Sequence, residues 1–145
     1  MTREETLKEI REAQDAGMRS LRCLQDAQKL LSSAGNWGLV DMFGGSFLSG
    51  LMKHSKISDA NHQMEQAKYE VQRFQKELQD INVPGNFGVG VGDFLTFADF
   101  FFDGLIVDWM VQSKIKEAKR QVEDAIRKIE IVLRDLDNWQ RQLEI

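Results

Sequence analysis

The chain has 145 residues, 42% of them hydrophobic and 29% charged, with a formal net charge of -4 and a single proline. This length suits one domain that can bury a core without a disulfide or a metal ion. Proline usually ends helices, so its near absence is typical of a mostly helical protein. The acidic balance, with positive charges answered by neighbouring carboxylates, argues against nucleic acid as a partner.

The compartment is predicted from the only cysteine and from the N-terminus. Cys23 excludes an internal disulfide framework and a cysteine-based zinc cage, and a lone thiol is most at home in a reducing compartment. The charged residues Met1 to Glu5 lead into a helical pattern without the apolar core of a signal peptide. We therefore expect a cytoplasmic protein.

A long helix is predicted at residues 4–32, because mostly apolar residues recur there at the a and d spacings of a heptad. The a and d positions are Leu7, Ile10, Gln14, Gly17, Leu21, Leu24, Gln28 and Leu31. The glutamines and the glycine weaken this helix but can fix its register or allow close approach. We expect the helix to end at Gly35, where glycine can complete a C-terminus.

A shorter apolar helix follows at 39–53 and is loosened by its glycines. It should kink or end near His54, with Ser55 as the N-cap of a second long helix at 56–82. The a and d positions of that long helix are Ile57, Ala60, Met64, Ala67, Val71, Phe74, Leu78 and Ile81. The apolar helix is either a separate element or a kinked extension of the long one.

Residues 82–93 are predicted to form a loop, because Pro84 and four glycines oppose a stable helix there. The loop lacks the preceding strand of a dinucleotide fingerprint and the Gly-Lys-Ser/Thr end of a P-loop. The apolar helix predicted at 94–111 contains Asp99, Asp103 and Asp108. Each would cost about 3 kcal/mol at the centre of a bilayer, so we do not expect this helix to span a membrane.

The last long helix is predicted at 113–143 and has the most regular heptad pattern. Its a and d positions are Ile115, Ala118, Val122, Ala125, Ile129, Val132, Leu136, Trp139 and Leu143. Further apolar residues at Ile126, Ile131 and Leu133 widen the apolar stripe, as expected for a helix with neighbours on more than one side. We expect this helix to be central or to mediate oligomerisation.

An internal duplication is the strongest pattern in the sequence. A shift of 58 residues aligns 41–81 with 99–139 without a gap, and a shift of 50 aligns Gly-Asn-Trp-Gly at 35–38 with Gly-Asn-Phe-Gly at 85–88. We therefore predict one domain, 1–145, that is an all-α, elongated, coiled-coil-like bundle with a repeat at 35–82 and 85–140. The predicted turn residues are Gly35, Trp37, Gly38, Gly85, Phe87 and Gly88.

Asp41 and Asp99 are the sharpest polar candidates, because the duplication pairs them in apolar surroundings. Two such carboxylates can meet to bind a metal or share a proton. The alternative, which we favour, is that each begins a helix and interacts with its dipole. His54 and His62 lack the Glu-x-x-His motif of a di-iron bundle, and no nucleophilic triad is present. We assign no catalytic, cofactor or metal residue.

Three functions remain open at this point. The first, which we favour, is a non-enzymatic interaction or scaffold protein that forms a homodimer and binds protein partners. The second is a membrane-surface protein that uses 39–53 and 94–111, although basic residues are absent between Lys76 and Lys114. The third is a metal-binding carboxylate bundle. The dimer is expected because 94–111 is apolar around most of its circumference; its interaction candidates are Phe97, Phe101, Leu105 and Trp109.

Overall fold

The structure, a computed structural model, describes residues 2–44, 47–81, 83–84, 88–100 and 115–145. All regular structure in these ranges is helical, which confirms the all-α prediction. The four helices are α1 (Arg3–Gly44), α2 (Phe47–Gln79), α3 (Gly88–Phe100) and α4 (Ile115–Glu144). The internal duplication and the coiled-coil character stay predictions.

A reciprocal hydrogen-bond pair starts α1. The hydroxyl of Thr2 accepts a bond from the backbone N–H of Glu5 at 3.1 Å, and the Glu5 carboxylate accepts one from the backbone N–H of Thr2 at 3.0 Å. This is a capping box, in which two otherwise unpaired N–H groups are satisfied at the beginning of a helix. The start of the longest helix is therefore encoded by two residues three positions apart.

α1 packs against α2 in an antiparallel arrangement. The guanidinium of Arg19 donates a hydrogen bond to Glu70 at 3.3 Å, while Gly17, two residues earlier, lies against the ring of Phe74. Residue numbers therefore rise along α1 as they fall along α2.

α1 also packs against α4, again antiparallel. The side-chain amide of Gln14 donates a hydrogen bond to Gln140 at 3.0 Å, and that of Gln28 donates one to Glu123 at 3.4 Å. Gln14 and Gln28 are two of the polar residues predicted at a positions of the first helix. Their pairing satisfies the hydrogen-bonding groups of these amides between the helices. An amide left unpaired there would cost free energy of folding.

α3 closes the bundle by packing against both α2 and α4. The rings of Phe74 and Phe94 lie 5.1 Å apart, and Lys128 lies 3.2 Å from Asp93. Further towards the N-terminus of α3, Gly90 faces Asp135, so α3 and α4 are antiparallel. Among the described residues, each helix thus packs mainly against two neighbours in the order α1, α2, α3, α4, with alternating directions, as in an up-and-down bundle.

The core runs along the centre of these helices and is almost entirely apolar. Its largest fully buried side chains are Phe74, Phe94, Ile10, Leu24, Met64, Leu78, Ile129, Leu136 and Val71. Every predicted a and d residue of α2 from Met64 to Leu78 is buried, and so is Ile81, which follows the end of α2. Every predicted a and d residue of α4 from Val122 to Trp139 is buried as well. The apolar sides predicted for these two helices are therefore the buried sides over these residues, while Leu143 near the end of α4 is half-buried.

The buried stripe of α1 is made largely of small residues. They are Ala13, Ala16, Gly17, Ser20 and Ala27. A Cβ atom on Gly17 would lie 2.8 Å from Leu133 Cδ2 and 3.0 Å from the Phe74 ring. The expected close approach at this glycine is confirmed, and it occurs against α2 and α4 together.

The predicted turn at Gly35, Trp37 and Gly38 is wrong, because α1 continues through these residues to Gly44. The predicted apolar helix at 39–53 is divided between the end of α1 and the start of α2, which has no break at Ser55. The structure shows the other alternative, in which the residues of the predicted apolar helix extend the long helices α1 and α2. Continuing a helix through a glycine costs about 1 kcal/mol, whereas a new helix must be nucleated at a larger cost.

The predicted loop at 82–93 is also wrong in its second half, because α3 begins at Gly88. A Cβ atom on Gly90 would lie 2.6 Å from Asp135 Oδ2 and 3.2 Å from Ile131 Cγ2. The glycine therefore lets the first turn of α3 approach α4, and the Asp135 carboxylate lies near the positive end of the α3 dipole. The other two turn residues predicted here, Gly85 and Phe87, lie outside the described residues.

Candidate functional site

Among the four predicted interaction residues, Phe97 is the one that the structure describes. Phe101, Leu105 and Trp109 lie outside the described residues. Phe97 is half-buried against the core, with Lys128 Nζ 5.6 Å from its ring centroid. Such a cation–π contact stabilises the α3–α4 interface, so the Phe97 ring packs against other residues of the same chain.

The rest of the described α3 likewise turns its apolar side towards the bundle. Phe94 and Ala98 are buried, whereas Asp93, Thr96 and Asp99 are exposed. The sequence predicts that a second chain covers the apolar segment 94–111. Over residues 94–99 the apolar side chains are covered by α2 and α4 instead, so a dimer is expected only from the residues that follow.

The two repeated carboxylates are not helix-start residues, contrary to the interpretation we favoured. Asp41 lies in the last turn of α1, and Asp99 lies eleven positions after the first residue of α3. Asp99 is exposed and accepts a hydrogen bond from the Gln75 side chain at 3.0 Å. The side chain of Asp41 lies outside the described residues, so the structure does not test a meeting of the two.

A cluster of three carboxylates, which the sequence did not reveal, lies where α1 meets α2. Oxygen atoms of Glu9, Glu12 and Glu77 lie within 4.8 Å of one another. Burial raises the pKa of Glu77, as do the negative charges of Glu12, Glu9 and Asp80. Glu77 on α2 is 65 or more positions from Glu9 and Glu12 on α1, so only the tertiary structure brings it to them. Their mutual repulsion weakens this end of the α1–α2 contact at neutral pH.

The two nucleophile side chains of the α1 interior are held in unreactive states. The buried Ser20 hydroxyl donates a hydrogen bond to the Ala16 carbonyl at 2.9 Å. Cys23 is half-buried, and burial together with the charges of Glu70 and Asp26 raises the pKa of its thiol. A raised pKa keeps the thiol protonated, which is the poorly nucleophilic form.

The outer face of α4 carries a row of exposed arginines at a constant spacing of seven residues. We call Arg120, Arg127, Arg134 and Arg141 the α4 arginine row. Arg127 lies 3.2 Å from Asp124, and Arg141 lies 3.0 Å from Asp137. Neighbouring carboxylates balance these positive charges along the chain, so the row appears only when exposed residues are sorted by helix face.

Within the described ranges, none of the helices combines the length and apolarity needed to cross a bilayer. Comparisons with protein-family models, curated proteins and solved structures found no match to this chain. No family, relative or structural neighbour therefore points to a function.

Proposed function

We propose that this protein is a non-enzymatic helical scaffold that binds protein partners through the outer faces of its helices. The observation that carries the proposal is the exposure of large apolar side chains on three different helices. Met18 on α1 is 47% exposed, Tyr69 on α2 60% and Ile131 on α4 45%. Methionine and tyrosine, together with arginine, are enriched where proteins bind one another.

The polar contacts between the helices support a binding role. The pairs Gln14–Gln140 and Arg19–Glu70 join α1 to its two neighbours across partly buried positions. Hydrogen bonds of this kind fix the relative positions of helices and so keep an outer surface rigid. A rigid surface loses little conformational entropy on binding, which favours affinity.

The exposed apolar residues can be tested by affinity capture. We expect the tagged wild-type chain to retain at least one protein from its native cells, and Met18→Ser/Tyr69→Ser/Ile131→Ser to retain it at least about tenfold less well. The matched control, Gln25→Ser/Gln66→Ser/Asn138→Ser, changes exposed polar residues on the same three helices. Equal capture by the apolar triple variant, at unchanged helicity and melting temperature, would refute this role.

Self-association is the second part of the proposal and involves the apolar residues after α3. Residues 101–111 contain Phe101, Leu105 and Trp109, and the preceding turns of α3 already use their apolar side within the bundle. We expect sedimentation equilibrium at about 10 μM, a concentration suited to micromolar affinity, to show a dimer. A monomer would remove this part of the proposal and leave partner binding intact, and retention on anionic liposomes would instead favour a lipid-surface role.

A further inference from the structure

The α4 arginine row is long, straight and regularly spaced. Seven residues of helix rise about 10.5 Å, so the four guanidinium groups are distributed over about 32 Å of the helix. The direction of the row drifts by only about 20° per seven residues. All four side chains belong to exposed residues, and the row therefore forms one continuous stripe on the outside of the bundle.

An exposed apolar side chain lies beside the middle of this row. Ile131 follows Arg127 by four positions and precedes Arg134 by three, and residues at these separations are neighbours on a helix surface. Ile131 is 45% exposed although it also contacts the position of Gly90 on α3. The surface thus presents an apolar side chain between two guanidinium groups, and arginine is among the residues enriched at binding hot spots.

The ion pairs that arginines in the row already make leave them able to bind a partner. Both Arg127–Asp124 and Arg141–Asp137 are solvent-exposed pairs within one helix. Exposed pairs of this kind contribute only about 0–1 kcal/mol. A guanidinium has five N–H donors, so a second carboxylate can be bound without complete loss of the first contact.

We propose that the α4 arginine row and Ile131 form the docking surface for an acidic, amphipathic helix of a partner protein. The proposal rests on the proposed partner-binding function and specifies its surface and the chemistry of the partner. A partner helix with carboxylates every seven residues has the same spacing as the row, so several bidentate guanidinium–carboxylate contacts form in register. An apolar residue between two of its carboxylates packs on Ile131.

The composition of this face favours a carboxylate partner over a lipid surface. Glu130 is exposed on the same face, and Asp124 and Asp137 interrupt the positive charge. Anionic membranes are bound by denser clusters of four to eight basic residues or by helices with a broad apolar side. The arginine row is one residue wide and has a single exposed isoleucine beside it, so it is complementary to a narrow stripe of carboxylates on a partner helix.

The test uses a synthetic probe and the full-length chain. The probe is a labelled peptide of about four heptads, with glutamate every seven residues and leucine between them; a scrambled peptide has the same composition. In fluorescence anisotropy we expect the ordered peptide to bind, and Arg127→Glu/Arg134→Glu to weaken binding by at least about tenfold. Ile131→Ser should weaken it as well. The matched control, Arg11→Glu/Arg22→Glu, makes the same charge change at exposed positions of α1 and should bind like the wild type.

Several outcomes would overturn the proposal. They are no binding of the ordered peptide, equal binding of the scrambled peptide, and equal weakening by the control variant. Binding to phosphatidylserine vesicles that needs Arg127 and Arg134, without peptide binding, would assign the row to lipid. Loss of a dimer in Arg127→Glu/Arg134→Glu would assign it to a second copy of the chain. If a partner captured from cells is retained by this variant, the α4 surface is refuted while the general binding role stands.

Discussion

α1 and α4 lie side by side in the bundle but are packed in different ways. The buried side of α4 consists of large residues such as Ile129, Leu136 and Trp139, whereas that of α1 is rich in alanine and contains Gly17. α1 contacts both α2 and α4 over much of its length. A helix held between two others at close range has room for small side chains, and the large residues that fill the core come from its neighbours.

The two flanks of α1 differ in the polar groups that they present to α4 and to α2. Towards α4, Gln14 forms a neutral hydrogen bond with Gln140. Towards α2, Glu9 and Glu12 face Glu77, so like charges are gathered there. The Gln14–Gln140 pair contains no titratable group, whereas the cluster of Glu9, Glu12 and Glu77 contains repulsion that protonation relieves.

The largest effect is expected from placing a charge in the apolar stripe of α4. Ile129 is fully buried, and Ile129→Asp combines loss of core packing with burial of an unpaired carboxylate. We expect a loss of more than about 4 kcal/mol in the free energy of unfolding, enough to unfold many small domains. Circular dichroism during urea titration measures this. The same substitution at the exposed Ile131 serves as control and should change stability by less than about 1 kcal/mol.

A smaller effect is expected from adding a methyl group at Gly17, where α1 closely approaches its neighbours. The same change at Gly92 of α3 serves as the reference. Gly92→Ala introduces a methyl group that meets no atom within 4 Å, so it should stabilise by about 1 kcal/mol through helix propensity. Gly17→Ala has the same propensity gain but forces a methyl group against Leu133 and Phe74. We expect it to be less stable than Gly92→Ala by about 1–3 kcal/mol. Equal melting-temperature increases in the two variants would show that α1 and its neighbours are not closely packed at Gly17.

The smallest effect is expected from the charged flank of α1. The pKa of Glu77 is raised in the folded state, so the folded protein binds a proton at this carboxyl more tightly than the unfolded chain does. Protonation of Glu77 therefore stabilises the fold, and this stabilisation is lost as the pH rises through the folded-state pKa. Glu77→Gln should therefore stabilise the protein at about pH 7 by roughly 0.5 kcal/mol or less, the scale of exposed charge pairs.

Chemical denaturation at neutral and at acid pH measures this difference. The gain should disappear at a pH below the ordinary glutamate range, where wild-type Glu77 is protonated as well. It should also be smaller in a Glu12→Gln background, since one repelling carboxylate is then missing. A gain that is the same at both pH values would contradict the assigned repulsion.

Much of the fold could be predicted because the long helices have strong periodicity. The helix predicted at 113–143 is observed as α4, and the buried positions of α2 and α4 follow their heptads. For α1 the prediction placed Gln14 and Gln28 in the apolar stripe, whereas they pair at its edge with residues of α4. The predicted helix boundaries were least accurate at the glycines. Gly38 lies inside α1 and Gly88 begins α3, although the two align in the predicted repeat.

The candidate surfaces were less predictable than the helices. The row of arginines on α4 is local and periodic, so it could have been found by sorting the residues of the predicted helix by face. The acidic cluster of Glu9, Glu12 and Glu77 joins two helices, and no local pattern indicates which residues meet. The cover of the apolar residues on α3 by α2 and α4 likewise depends on the order of the helices around the core.

The sequence by itself determined that this protein is helical and which sides of α2 and α4 are buried, because a helix period is set by residues within two turns of each other. Only the tertiary structure decided where glycine interrupts a helix and where it permits contact. Gly17 and Gly90 are chemically identical, and so is Gly92. What distinguishes them is the distance to a neighbouring helix, and that distance is fixed by packing between residues far apart in the chain.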